Sequence, residues 1–330
     1  MKARLWHYGS LLLSSFILFI TVITVLFFLL ELAPGDPVQA LVGDVPLTEE
    51  FRQQLIAAYG LDRPAWERYL VYLGNVLTGN LGYSFATNAE PVLDIILSRV
   101  GTTLALAVPA FVLSTAGGIV LGSIAARTRR RWLDAGISGF TVGLFSIPNF
   151  WLGMLLIIVF SITLGWFPTG GKSPYGQPGI SLEHMVLPII TMATSELAYK
   201  ARIMRSSMIE SLGQDFIDTA RSKGLSSRRL VFRHALPNAL LPMITVSGYS
   251  LGFILAGSVL IERVFGWPGM GLLLVDAIER KNNMVVLGIT IVLTFTIIVV
   301  NIVTDVVYGI VDPRLRARFT PNKPSPEVVG

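Results

Sequence analysis

The sequence predicts an all-α membrane protein that crosses the bilayer six times. Hydrophobic residues make up 52% of its 330 residues, charged residues only 14%, and the mean hydropathy is +0.65, a composition unlike that of soluble domains. A helix needs about 20 apolar residues to cross a hydrocarbon core of about 30 Å. Five uncharged stretches meet this length: Leu11–Leu30, Thr103–Ile124, Ile137–Leu164, Leu240–Ile261 and Met284–Val303.

The sixth span is predicted at His184–Arg202, where Glu196 interrupts the apolar run. Lys200 follows one helical turn later and can pair with that carboxylate, which lowers the cost of a charge inside the membrane. The first stretch is interpreted as a retained helix and not as a signal peptide. Its apolar run exceeds the usual length of about 7–15 residues, and no small-residue cleavage site follows at 31–34.

Basic residues are unevenly distributed between the two sides of such a bundle. Six spans place both termini and the loops 125–134 and 203–237 on one side. Together with Lys200 and Arg202, at the end of the span before the second loop, this side carries 18 of the 26 lysines and arginines. The positive-inside rule therefore predicts that both termini are cytoplasmic. The isoelectric point of about 9.6 reflects this asymmetry and contact with anionic lipid, not nucleic-acid binding. Cysteine is absent, which excludes disulfides and thiolate chemistry.

The predicted organisation has four parts: the N-terminus and first span (1–32), an external loop (33–100), a five-helix core (101–311) and a cytoplasmic tail (312–330). The loop after the first span contains two amphipathic helices, of which the first is capped by Thr48 and ended by Gly60. The second, near 66–77, has an apolar and aromatic side suited to the membrane interface or to packing on the bundle.

The most informative segment is the charged loop at 203–237, which connects two spans of the core. Gly224 can end its first helix in the left-handed conformation, because glycine has no Cβ to clash. A second short helix, capped by Ser226 or Ser227, is predicted to follow, and Pro237 marks the return to the membrane. Residues that recur every four positions predict one helical stripe through the first helix: Met208, Leu212, Phe216 and Ala220.

Several chemical functions are excluded by spacing. The run Gly170-Gly171-Lys172-Ser173 resembles the end of a phosphate-binding loop, but Trp166 stands where that pattern requires glycine. His7, His184 and His234 have no nucleophile motif nearby, and no cluster of His, Asp and Glu has metal-ligand spacing. We therefore expect no catalytic, cofactor-binding or metal-binding residue in this chain.

Two carboxylates lie within or close to the predicted spans. Glu196 and Asp305 are costly in lipid and so are expected to face protein or water. A role in transport and a structural pairing, with Lys200 or with Arg314, are both open on the sequence alone.

The charged loop resembles the EAA loop of permease subunits in binding-protein-dependent ABC importers. Asp218-Thr219-Ala220 stands where that family has Glu-Ala-Ala, Gly224 follows after three residues, and Leu236-Pro237 closes the pattern. The chain is similar almost from end to end to the first permease of the dipeptide, oligopeptide and nickel importer branch. The motifs that carry this likeness are 34–37 (PGDP), 59–64 (YGLDRP), 79–84 (GNLGYS), 146–153 (SIPNFWLG), 265–271 (FGWPGMG) and 312–314 (DPR), while Lys281-Asn282 replaces the branch's usual Arg-Asp.

The resemblance implies a type I importer permease with the MetI-like fold in the bacterial inner membrane. It implies a homologous second permease, two cytoplasmic ATPases that hold ATP and Mg, and an external solute-binding protein, with no cofactor in this chain. It places the ATPase-coupling loop at Asp218, Thr219, Ala220, Gly224, Arg228, Arg229, His234, Leu236 and Pro237. It places a candidate pathway at Ser146, Asn149, Trp151, Gly248, Gly252 and Gly257.

Peptide is the expected substrate, and nickel, glutathione or sugars are the alternatives within the same architecture. An ion-coupled secondary transporter would instead show charges at mid-membrane and work as a lone chain. An intramembrane enzyme would need a nucleophile and a base facing each other. A membrane scaffold would not explain the spacing of the motif from Asp218 to Pro237.

Overall fold

The computed structural model describes residues 2–32, 36, 38, 47–84, 89–128 and 130–311. The predicted tail, Arg314, and all of the PGDP motif except Asp36 lie outside this part of the chain. A two-stranded antiparallel sheet pairs β1 (Tyr83–Ser84) with β2 (Glu90–Pro91). The helices are α1 (Lys2–Glu31), α2 (Glu49–Tyr59), α3 (Ala65–Leu77), α4 (Val92–Arg127), α5 (Arg131–Ser146), α6 (Asn149–Leu156), α7 (Leu182–Leu212), α8 (Asp215–Ser222), α9 (Ser227–Arg229), α10 (Leu236–Val264), α11 (Met270–Glu279) and α12 (Asn283–Val311), with π-helical segments π1 (Ile157–Thr163) and π2 (Leu230–Ala235).

The described helices contain the predicted spans. Three helices are long and apolar enough to cross a membrane alone, over Gly9–Glu31, Val92–Arg127 and Asn283–Val307. Two further spans are bent pairs: α5 with α6 and π1, and the segment 227–264, which bends by 45°. The sixth predicted span is part of α7, a helix of 31 residues whose charged residues set it apart from the other five. Its packing against α4, α5 and α10 places it inside the bundle.

The predicted span over Ile137–Leu164 is sharply bent in the structure. The axis turns by 100° between α5 and α6, at the dipeptide Ile147-Pro148. Proline has no N–H to donate and restricts the residue before it to extended backbone, and Ile147 has φ −87° and ψ 125°. The span is therefore a broken helix with Asn149 at the start of its second half.

Small residues bring α4 and α7 into close contact. A Cβ on Gly118 would lie 2.6 Å from Cβ of Lys200, and one on Gly122 would lie 2.5 Å from the carbonyl oxygen of Ala201. Such closeness is typical of membrane helices that associate through glycine. We infer that α4 and α7 behave as one rigid unit.

The two helices predicted in the first loop are confirmed. Thr48 Oγ1 accepts a hydrogen bond from Phe51 N (3.4 Å), and Gly60 ends α2 with φ +58°. In α3, Arg68 pairs with Glu31 at the end of α1, and the Tyr69 hydroxyl bonds Thr24 on α1 at 2.6 Å. One side of α3 thus packs on the first span, while its remaining apolar side chains are exposed: Trp66, Leu70, Val71 and Leu77.

Asp36, within the described part of the PGDP motif, anchors the start of this region. Its carboxylate accepts a bond from Val38 N (3.0 Å) and from Arg52 Nη2 (2.6 Å). The Val38 N–H, with the Arg52 guanidinium, holds the pKa of Asp36 below its ordinary value.

The Lys281-Asn282 pair lies at the start of α12. Lys281 is left-handed, with φ +54°, and the buried Asn282 donates from Nδ2 to Ser84 Oγ at 2.7 Å. Asn282 Oδ1 accepts from Val285 N at 3.4 Å, as a helix cap does. Asn282 therefore caps α12 and ties it to β1.

Candidate functional site

The charged loop is a helix, a turn and a second helical segment. Gly224 has φ +77°, and Gly224 N and Leu225 N donate to the carbonyls of Arg221 (2.9 Å) and Ala220 (3.4 Å). These bonds satisfy carbonyls at the end of α8 that would otherwise have no partner. The predicted glycine stop is confirmed. Ser226 precedes α9, but its side chain makes no capping bond.

The predicted stripe through Phe216 is wrong. α7 ends at Leu212, and Gln214 is extended with φ −82° and ψ 149°, so α8 starts on a new axis. Ile217 is buried in place of Phe216, which is 38% exposed. The cause is Gly213, which ends α7 before the four-residue period reaches α8.

A compact apolar cluster joins the charged loop to the two helices that flank it. Its loop members are Ile217, Ala220, Leu230, Val231 and Ala235, packed on Met204 and Met208 of α7 and on Ala239 and Met243 of α10. Burying Ile217 alone is worth about 1.5–3 kcal/mol. Ser211 Oγ also donates to the Ala235 carbonyl at 2.9 Å. The loop is therefore packed against both α7 and α10.

The loop returns to the bundle through π2 without a separate turn. Pro237 has no backbone N–H to donate the hydrogen bond that would continue an α-helix. The wider π-helix ends at Ala235, two residues before it. Asn238 Nδ2 donates to the His234 carbonyl at 2.7 Å and so supplies a donor near the proline. His234 is only partly exposed, and Leu236 begins α10.

The outer face of the charged loop is polar, charged and exposed. Asp218 and Arg221 form an ion pair at 2.9 Å, with 69% and 64% of their side chains exposed. Thr219 bonds only the Asp215 carbonyl, at 3.0 Å, among described residues. Other exposed side chains of this loop include Lys223, Ser227, Arg228, Arg229, Phe232 and Arg233. An ion pair as exposed as this one contributes little to stability.

The charged residues of α7 point to different neighbours. The Lys200 side chain is 0% exposed, and its Nζ donates to Ser114 Oγ and Thr115 Oγ1, both at 2.9 Å. Glu196 instead accepts a bond from Ser250 of α10. The predicted Glu196–Lys200 ion pair does not form within 4.0 Å in the described chain. Asp305 is exposed on α12.

The candidate pathway residues fall into different environments. Ser146 and Trp151 are exposed on either side of the break between α5 and α6, and Asn149 donates from Nδ2 to Ser195 Oγ at 3.0 Å. On α10, a Cβ at Gly248 would lie 2.0 Å from Thr304 Cγ2, one at Gly252 would contact Ile297 at 3.6 Å, and one at Gly257 would meet open space. Gly248 is thus a close-packing position, whereas Gly257 leaves room.

A buried carboxylate that the sequence reasoning missed lies at the opposite end of α10. Glu262 is 0% exposed; its Oε1 accepts from Thr103 Oγ1 (2.8 Å), and its Oε2 accepts from Gly271 N (2.7 Å) and Leu272 N (3.0 Å). It therefore caps α11 and links it to α4 and α10. The only local signal was its place just before the FGWPGMG motif.

A comparison with protein-family models identifies the family of this chain. A family model described as "Binding-protein-dependent transport system inner membrane component" matches residues 118–317, more than half of the chain, including the whole charged loop. The chain belongs to this family. The model of the family's N-terminal part matches residues 10–107. Members of the family are transport permeases and not enzymes.

Curated relatives confirm the predicted branch. The oligopeptide transport system permease protein AppB of Bacillus subtilis (strain 168) is 39% identical over 299 residues, covering 89% of this chain and 94% of that protein. The dipeptide transport system permease protein DppB of Escherichia coli (strain K12) is 38% identical over 322 residues, covering 90% and 95%. The likeness therefore extends over nearly the whole length of each relative.

Solved structures confirm the MetI-like fold. Two crystal structures of the MetNI methionine ABC transporter in inward-facing conformations match the chain. Their TM-scores are 0.56 and 0.57, at 17% and 18% identity. Each match covers 68% of this chain and 99% of the matched chain. At such identity the likeness concerns the fold alone.

Proposed function

We propose that this chain is one of two homologous permeases in an ABC importer that takes up di- or oligopeptides. In this proposal, ATP and Mg bind to two separate cytoplasmic ATPases, and an external solute-binding protein delivers the substrate. The permease itself contributes the pathway and the loop that receives the ATPase movement. The names of the relatives favour peptide as substrate, with nickel, glutathione or sugars as alternatives for the same architecture.

The observation that carries the proposal is the packing of the charged loop. Its inner face is fixed to α7 and α10 by the apolar cluster, while its outer face, from Asp218 to Arg233, is exposed. A surface that is exposed outside and rigidly attached inside can receive a partner's movement and turn it into motion of the spans. Attraction of arginines to anionic lipid would require positive charge only and would not explain the glycine turn.

Reconstitution tests this function directly. The chain, coexpressed with its homologous permease and the ATPases, should copurify with the ATPases. Proteoliposomes of the complex should accumulate a dipeptide only when ATP and the solute-binding protein are both present. In this proposal, ATP binding belongs to the ATPases and substrate capture belongs to the solute-binding protein. An ATPase variant unable to hydrolyse ATP is the control. Uptake by this chain alone, driven by a proton or sodium gradient, would instead establish a secondary transporter.

We also propose that the charged loop and both termini are cytoplasmic. The basic residues support this orientation. Lys200 is buried within the bundle and so does not belong to the cytoplasmic surface. Without it, 17 of the 26 lysines and arginines still fall on the proposed cytoplasmic side.

Cysteine labelling tests the orientation without background, since the chain has no cysteine. Tyr175 is fully exposed in the loop between π1 and α7, and Ser227 is exposed in the charged loop. In intact cells an impermeant thiol reagent should label Tyr175→Cys, while Ser227→Cys should react only after permeabilisation. The reverse pattern would show that the orientation is inverted.

A further inference from the structure

The depth of α3 in the bundle follows from its aromatic contacts with α1. The ring centroid of Tyr69 lies 5.6 Å from that of Phe27 and 5.5 Å from that of Phe28. The Tyr72 ring also lies 5.5 Å from Phe27. Both phenylalanines are about one turn before Glu31, the last residue of α1. At about 1.5 Å per residue, the middle of α3 is therefore about 5 Å below the end of the first span.

Two polar contacts agree with this level. The Arg68 side chain reaches up to Glu31, while the Tyr69 hydroxyl reaches down to Thr24 and bonds its hydroxyl at 2.6 Å. Thr24 lies inside the apolar stretch of the first span. Since α1 crosses the membrane, α3 lies beside it at the level where the hydrocarbon core meets the headgroups.

The inner side of α3 is fixed at this depth by the core of the bundle. Val76 is 7% exposed, and Tyr72 and Leu73 pack around the same apolar cluster. Other members of this cluster come from α1, α4, α11 and α12, among them Ile23, Ile96, Met270 and Ile289. Moving α3 out into water would expose these side chains, at a cost of about 25 cal/mol per Å² of apolar surface.

The outer side of α3 is also apolar. Trp66, Leu70 and Leu77, which are four and seven positions apart, form one helical stripe and are 59%, 56% and 54% exposed. The charged residues of α3 are Glu67 and Arg68, and the arginine pairs with the end of α1. A helix side that faces water normally carries polar residues. The stripe therefore indicates an apolar neighbour.

The exposed surface of α1 adjoins this stripe at the same depth. Tyr69 of α3 contacts Thr24 and Phe28 of α1. The residues that directly follow these two, Val25 and Leu29, are 51% and 59% exposed. On a helix that crosses the membrane, exposed apolar side chains at this level face lipid. The same surroundings extend to the outer side of α3.

We propose that α3 is an interfacial membrane helix and that lipid covers its outer side. Acyl chains lie against Leu70 and Leu77, and the Trp66 ring lies at the border with the headgroups, where tryptophan is enriched. Interfacial helices bury their apolar side by about 5–10 Å, which agrees with the depth set by α1. A water-soluble partner would have to enter the bilayer to reach this stripe. The inference concerns the position of α3 and is independent of the substrate.

Fluorescence quenching in the reconstituted importer tests the proposal, since this chain has no cysteine. Leu70→Cys is labelled with a small fluorophore in detergent, with cysteine-free partner subunits, and the complex is reconstituted into vesicles of phosphatidylcholine and phosphatidylglycerol. The quenchers are aqueous iodide and lipids with a nitroxide either near the headgroup or near the end of the acyl chain. The nitroxide near the headgroup should quench at least about two-fold more than the one near the chain end, and iodide should quench weakly.

Two further sites serve as controls. Tyr175→Cys, in a fully exposed loop position, should be quenched by iodide. Leu18, 52% exposed on α1, is about 14 Å deeper than Phe27, so a fluorophore on Leu18→Cys should be quenched more by the nitroxide near the chain end. Iodide quenching at Leu70 equal to that at Tyr175, or protection from every quencher, would overturn the proposal, because water or protein would then cover the stripe. Leu77→Cys provides the same test if Leu70→Cys does not assemble.

Discussion

Replacing Gly224 by valine is expected to lower uptake at least roughly ten-fold while the spans still insert and pack. Gly224 has φ +77°, and a β-branched residue in this region costs about 1–2 kcal/mol or more. A Cβ there would meet nothing within 4 Å, so the cost comes from the backbone and not from collision. The relaxed turn would point α9 and π2 in another direction and disturb the face offered to the ATPases.

The measurements are ATPase copurification and dipeptide uptake by the reconstituted complex. Gly224→Asn is the matched control, because asparagine adopts the left-handed region more readily than other non-glycine residues. We expect it to retain most of the association and uptake that valine removes. Wild-type uptake and ATPase binding in Gly224→Val would show that the turn is not part of the coupling surface.

Structural features that depend only on neighbouring residues could be predicted from the sequence. The glycine stop at 224 and the amphipathic helix after Thr48 follow from local conformational preference, and the structure confirms both. The predicted stripe through Phe216 does not form because Gly213, itself a local signal, ends α7 before the stripe reaches α8. The break at Ile147-Pro148 was likewise visible as a dipeptide, but the length of the apolar run favoured one span.

The polar contacts inside the bundle could not be predicted in the same way. The hydroxyls that hold Lys200 are 86 and 85 residues away in sequence. Glu196, the possible partner one turn away, instead accepts a hydrogen bond from Ser250. Hydrogen-bond partners of a buried charge are set by helix packing, and one sequence contains no direct record of which helices meet.

Glu262 shows the largest consequence of such a distant contact. Thr103, which donates to its carboxylate, is 159 residues away and also accepts the bond of Met270 N at 2.8 Å. The first three N–H groups of α11 are thus satisfied by two side chains from α4 and α10. Trp267, fully buried, adds a bond from Nε1 to the Thr102 carbonyl at 2.9 Å. One polar cluster therefore holds the end of α10 and the start of α11 against the middle of α4.

Glu262→Ala is accordingly expected to destabilise the protein by about 3–5 kcal/mol, because it leaves two backbone N–H groups and the Thr103 hydroxyl buried without their acceptor. Thermal unfolding of the purified complex in detergent, followed by size-exclusion chromatography, measures the loss. Glu279→Ala is the control: its carboxylate pairs with Arg263 at 3.0 Å but is 56% exposed, so the expected cost is under about 1 kcal/mol. Equal stability of the two variants would mean that α11 keeps its position without the carboxylate cap, and that packing of Trp267 and Met270 alone holds this end of the bundle.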